Sequence, residues 1–91
     1  MLMQTRKLSA SVFTALPDGT GVLLNLETLL YFSLNRTGAT LWQEIERADT
    51  TELEQLVHRA CEQFEVDQTL AHKEISDFVE QLAYLGLVRI S

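Results

Sequence analysis

One cysteine, one proline and four glycines are all that 91 residues hold of the types that staple, break or bend a chain. The lone Cys61 excludes an internal disulfide framework and fits a reducing compartment. Cations are scarce: seven Lys and Arg face thirteen Asp and Glu, for a net charge of -6. The shortfall is uneven, with three cations against two acids in residues 1–40 and four against eleven in residues 41–91. The second half is therefore a poor match for nucleic-acid phosphates, whose binding rests on clustered Lys and Arg. It suits a basic partner better. Long apolar runs are missing too, and a membrane span needs about 20 such residues. Ser9, Ser11 and Thr14 break up the start of the chain before a signal-peptide core could form. The expected location is the cytoplasm, with neither nucleic acid nor membrane as a partner.

Catalytic constellations are equally thin. His58 and His72 stand on the polar sides of their helical segments and read as solvated surface histidines. One cysteine and two separated histidines fall short of zinc-ligand spacing. Cys61 lies within an apolar stripe, as a small hydrophobe would. Gly19-Thr20-Gly21 is a turn, because a phosphate cradle needs a longer glycine pattern opening a helix. The acids from Glu44 to Glu54 read as a solvated face and helix caps. No enzyme, metal or cofactor is expected.

What is present is a globular composition, 46% hydrophobic and 22% charged. Residues 1–91 read as one domain, with 1–9 a stretch that can be flexible. Residues 11–16, 21–26 and 29–34 read as strands. Pro17-Asp18-Gly19 makes the first turn, and Glu27-Thr28 a tight second connection. Asn35 caps a helix over 36–47, with Leu41, Trp42 and Ile45 as its buried stripe. A second helix starts from Asp49, Thr50 or Thr51. Asp49 with Glu52, or Thr51 with Glu54, gives a capping-box spacing. Leu53, Leu56, Val57, Ala60, Cys61 and Phe64 follow at helical period. Asp67 caps a third helix running to about Leu85, which Gly86 stops. Residues 87–90 add a short extended piece. The fold class is α+β: a three-stranded antiparallel sheet followed by three helices, resembling a winged helix-turn-helix.

The third strand calls for a partner. Leu29-Leu30-Tyr31-Phe32 is apolar on both faces. In a meander it is an edge unless the final segment covers it, yet it lacks the charge, proline or bulge that edges usually carry. One reading buries it on both faces; the other makes it a site where a partner adds a strand and seats alternate side chains in apolar pockets.

Residues 24–39, Leu-Asn-Leu-Glu-Thr-Leu-Leu-Tyr-Phe-Ser-Leu-Asn-Arg-Thr-Gly-Ala, resemble the PqqD-like pattern LD-x-x-T-G-x-Y-x-x-LN-x-T-G, and Trp42 follows at the family's spacing. Phe64-Glu65-Val66-Asp67, Phe78-Val79-Glu80-Gln81-Leu82 and Gly86-Leu87-Val88 resemble its later motifs. The resemblance spans roughly residues 10–90, and the order and spacing of the motifs carry it. It implies a winged-helix-like recognition domain for ribosomally made, modified peptides. The leader of a precursor peptide adds to the third strand and lies beside the third helix, and a separate modifying enzyme or leader protease is the second partner. The implied peptide-binding residues are Leu29, Leu30, Tyr31, Phe32, Ser33 and Leu34, with Lys73, Ser76, Asp77, Glu80 and Tyr84 on the flank of the third helix. Acids on that flank predict a leader with basic residues around apolar anchors. The chain departs from the pattern at Leu29, where glycine is common, and at Leu30, where a polar residue is. It also lacks the Cys-Asp-Gly-like step of the PqqD proteins of quinone-cofactor synthesis. That favours a general or lasso-peptide-type recognition domain over a PQQ-biosynthesis chaperone proper. The rivals are a helix-turn-helix DNA-binding regulator, disfavoured by the acidic third helix, and a homodimer paired through its third strands.

Overall fold

Pro17, Asp18 and Gly19 decide where the first hairpin turns. Proline presets its backbone angle, and Gly19 adopts φ +92. The Gly19 amide donates to the Leu16 carbonyl at 3.1 Å, and the Leu16 amide to the Thr20 carbonyl at 2.9 Å. Asp18 Oδ1 accepts from the Thr20 amide at 3.0 Å and from its hydroxyl at 2.6 Å. The turn is thus held by its own side chains.

The computed structural model describes residues 4–8, 11–48 and 50–91. In chain order the elements are β1 (Gln4–Lys7), β2 (Ser11–Ala15), β3 (Gly21–Asn25), β4 (Leu30–Leu34), α1 (Arg36–Arg47), β5 (Thr51–Glu52), α2 (Leu53–Gln63), α3 (Gln68–Tyr84) and β6 (Val88–Ile90). The sheet β2-β3-β4 is the antiparallel meander expected from the sequence. Its strands end one residue earlier at Ala15 and Asn25 and begin one later at Leu30. Leu29 is the reason for the last shift: it sits in the β3–β4 turn with φ +61, so it cannot lie in the ladder. Its amide donates to the Asn25 carbonyl at 2.7 Å.

The second sheet, β5-β1-β6, is invisible to pattern reading. Gln-Thr-Arg-Lys has no apolar alternation. It is a strand because neighbours pair with it on both sides, Thr5 meeting Thr51 in β5 and Ile90 in β6. Thr5 is wholly buried as a result. The extended piece at the C-terminal end therefore pairs with β1, not with β4.

Asn35 caps α1 as expected, its Oδ1 accepting from the Gly38 amide at 2.7 Å. The cap of α2 is Glu52, in a reciprocal capping box with Gln55, and not Thr50 or Thr51. Thr51 is buried and committed to β5, which delays the helix start by a residue; Asp49 lies outside the described residues. Asp67 caps α3, accepting from the Leu70 amide at 3.1 Å. At the far end Gly86, at φ +77, donates to the Ala83 carbonyl, and the Leu87 amide donates to the Leu82 carbonyl. Those two bonds are a Schellman stop.

Leu23 and Leu34 of the sheet, Trp42 and Ile45 of α1, Leu56 of α2 and Val79 of α3 meet in one core and are buried. Each such side chain contributes about 1.5–3 kcal/mol relative to exposure. The core seats α3 against the helix-facing side of the meander, which sets the geometry of the open edge.

Candidate functional site

The first turn fixes where the backbone groups of the whole meander point. In an antiparallel ladder a residue's N–H and C=O face one side, and successive residues alternate. Leu16 and Thr20 face each other, as their hydrogen bond shows. Counting along the register, Val22 and Leu24 turn their groups toward β2, and Gly21, Leu23 and Asn25 turn theirs toward β4. The β4 partners of those three are Leu34, Phe32 and Leu30, which are bonded inward. Tyr31 and Ser33 are left with N–H and C=O pointing away from the sheet. Among the described strands none covers them, because β4 has β3 as its sole partner. The edge offers two donors and two acceptors at the spacing an added strand requires.

Side chains alternate with the same period. Tyr31 and Ser33 share the outer face with Val12, Leu24 and Val22, while Leu30, Phe32 and Leu34 turn to the helix side. Leu34 reaches the core, but Leu30 and Tyr31 are 55% and 72% exposed, and Leu29 in the turn 68%. Apolar residues this open on a strand edge and the turn leading into it are the feature native edges normally avoid.

Between β4 and α3 runs a groove of about 380 Å³. Tyr31, Phe32, Ser33 and Leu34 form one wall, and Phe78, Gln81, Leu82 and Leu85 the other. None of its lining residues is charged. Asn35, Gly38 and Phe78 also line a second, mainly apolar pocket of about 190 Å³ between the helices.

The structure brings five of the six expected β4-side residues together, Leu30 to Leu34, and sets Leu29 apart in the turn. Backbone pairing is available at Tyr31 and Ser33 alone, since alternation commits the others to β3. On α3, Lys73, Ser76, Asp77, Glu80 and Tyr84 do not line the groove. Ser76 borders the buried stripe of Ala71, Ile75, Val79 and Leu82 on the side away from the sheet, which lies along Phe78, Gln81 and Leu85, while Lys73, Asp77, Glu80 and Tyr84 are exposed on the opposite face of the helix. The groove wall is thus apolar with one amide, and the acids lie off it. Tyr84 is 90% exposed at the end of the helix. Asn35, Gly38, Phe78, Gln81, Leu82 and Leu85 are lining residues outside the expected site; the closing Phe-x-x-x-Leu stripe, with Gln81 next to it, was the available signal for the α3 wall.

Elsewhere the chemistry is sparse. His58 and His72 are exposed, opposite Glu62 at 3.6 Å and Glu54 at 3.3 Å. Cys61 is half-buried and free. Among the described residues no cluster of His, Cys, Asp and Glu is placed to hold a metal, and no helix is long and apolar enough to cross a membrane.

Residues 20–88, which carry the open edge, the groove and all three helices, match the family model described as coenzyme PQQ synthesis protein D, PqqD. The chain belongs to the PqqD family. Two solved structures share its PqqD-type fold. TbiB1, in complex with the TbiA(beta) leader peptide, is 28% identical over 92% of this chain and 94% of its own, with a TM-score of 0.82. A lasso peptide synthetase B1 complexed with the leader peptide is 22% identical over 93% and 96%, with a TM-score of 0.78, a likeness of fold. No curated protein matches the chain significantly. Against the PqqD pattern, the positive φ of Leu29 explains why glycine is common at that position.

Proposed function

We propose that this PqqD-family chain binds the leader segment of a ribosomally made precursor peptide by strand addition to β4, and presents the precursor to a separate modifying enzyme or leader protease. One observation carries the reading: the unpaired backbone groups of Tyr31 and Ser33 lie alongside an apolar groove. The likeness to TbiB1, solved with a leader peptide, supports it. In this reading Tyr31 and Ser33 form the ladder. Leader side chains on the helix side pack against Phe32, Phe78, Leu82 and Leu85, and Gln81 faces the far edge of the added strand. The domain is a non-catalytic module that works in the cytoplasm, where ribosomal precursors are made. Its pathway is of the lasso-peptide type rather than that of the quinone cofactor.

The test is a fluorescence-anisotropy titration with the leader of a short precursor encoded beside the gene. Saturable binding at micromolar Kd or tighter, about −8 kcal/mol, that a scrambled leader loses is the expected result. Absence of binding, with a dimer in solution that a charge at Leu30 dissolves, would assign the open edge to self-pairing instead.

A further inference from the structure

Asn25 ends β3 on the helix-facing side and is 3% exposed. Its polar groups go to separate segments. Oδ1 accepts from the Glu27 and Thr28 amides at 2.9 and 3.3 Å. Nδ2 donates to the Leu85 carbonyl at 3.1 Å. The backbone carbonyl accepts from Leu29. The orientation of the side-chain amide is fixed by its partners, since backbone amides can only donate and a carbonyl can only accept. The PqqD pattern has aspartate at this position. An ionised carboxylate would keep the bonds to the turn but could not donate to Leu85. Leu85 lines the α3 wall of the groove, and the turn that Asn25 holds leads through Leu30 into Tyr31, the first residue of the opposite wall. Asn25 is therefore a strut across one end of the groove floor, reaching from the turn to the Schellman stop of α3.

We infer that Asn25 is a positioning residue whose bond to Leu85 sets the spacing between the free edge of β4 and the end of α3, and through it the affinity for an added leader strand, without touching that strand. The inference rests on the leader-binding reading above. A rigid wall-to-wall distance matters because a strand must reach the Tyr31 and Ser33 groups and seat its side chains on α3 at once; a preorganised groove avoids the ordering cost at binding.

The variant that isolates the bond is Asn25→Asp. Its affinity, as a ratio to the wild type, is measured with a fluorescein-labelled synthetic leader of the precursor encoded beside the gene, from about pH 7.5 down to about pH 3, which brackets the ordinary aspartate carboxyl at about 3.9. Near neutrality the introduced carboxylate faces the Leu85 carbonyl, and affinity is expected to fall about tenfold. Protonation restores a donor while the other oxygen still accepts from the turn, so the ratio should climb back toward one in acid. Taking the ratio cancels titration of the leader itself. If the single variant does not fold, the same ratio is taken between Leu29→Gly and the Asn25→Asp, Leu29→Gly pair, in a background freed of the left-handed leucine. A ratio near one at neutral pH overturns the inference, as does a loss that acid leaves unchanged while the circular dichroism stays native. A wild type that binds no leader overturns the leader reading itself, so the two failures are told apart.

Discussion

Leu29 and Asp18 each hold a turn of the meander, and they do so at opposite cost. A non-glycine residue in the left-handed region is disfavoured by about 1–2 kcal/mol. Leu29, 68% exposed, recovers little of that by packing. Leu29→Gly gives up backbone entropy of about 0.5–1 kcal/mol, so the net expectation is stabilisation of under about 1 kcal/mol. In a domain of this size that is a rise of a few degrees in Tm, roughly 4–8 °C per kcal/mol, readable in a thermal melt. A fall in Tm would mean that Leu29 makes contacts worth more than its strain. Asp18 works the other way. The Thr20 hydroxyl, then its amide, with a smaller contribution from Arg36, hold the Asp18 carboxyl below its ordinary range. A carboxyl so lowered contributes stability that is present above its unfolded value and is lost as pH falls through the folded one. Asp18→Asn removes that dependence, so the advantage of the wild type should shrink on acidification below about pH 4. Paired urea melts across that range would show it, and a constant difference would refute it.

At the scale of elements, the open side of β4 is the feature on which function turns. Tyr31→Pro removes an amide that faces away from β3, so the β3–β4 ladder stays whole. The folded state should persist while leader affinity drops about tenfold, the loss of one hydrogen bond of about 1 kcal/mol plus imperfect seating. Phe32→Pro is the contrast: its amide belongs to the inner ladder, and the melting temperature should fall. If both variants bind and melt alike, the assignment of the free edge is wrong. The strands of the meander and all three helices were legible in the sequence because each carries its own signal: turn residues at Pro17-Asp18-Gly19, caps at Asn35 and Asp67, a stop at Gly86. β1 and β5 were not, because Gln-Thr-Arg-Lys and Thr-Glu acquire strand geometry only from the neighbours that pair with them. The same limit applied to α3. Its stripe was readable, but Ser76 and Gln81 are equivalent as borders of a stripe until the sheet lies against one of them.

For the molecule as a whole, the net charge of -6 and the groove are separate matters. The acids crowd the second half of the chain, yet the residues lining the groove are uncharged. Binding seated there should depend weakly on salt, since screening acts on exposed charges and leaves apolar burial and backbone pairing largely untouched. Raising NaCl from about 0.05 to about 0.5 M, which shortens the Debye length several-fold, is expected to change the leader Kd by less than about threefold in a titration series. A loss of tenfold or more would place the acidic flank of α3, around Asp77 and Glu80, in the interface after all.

The sequence by itself determined the class of fold, the order of the meander and the helices, and the apolar character of residues 29–34. These follow from periodicity, turn chemistry and capping, which act over a few residues. Tertiary structure decided which strand the C-terminal segment covers, which backbone groups of β4 remain free, and which border of α3 faces them. Those outcomes depend on contacts between residues far apart in the chain: Thr5 with Ile90 and Thr51, and Asn25 with Leu85. No local pattern encodes such contacts.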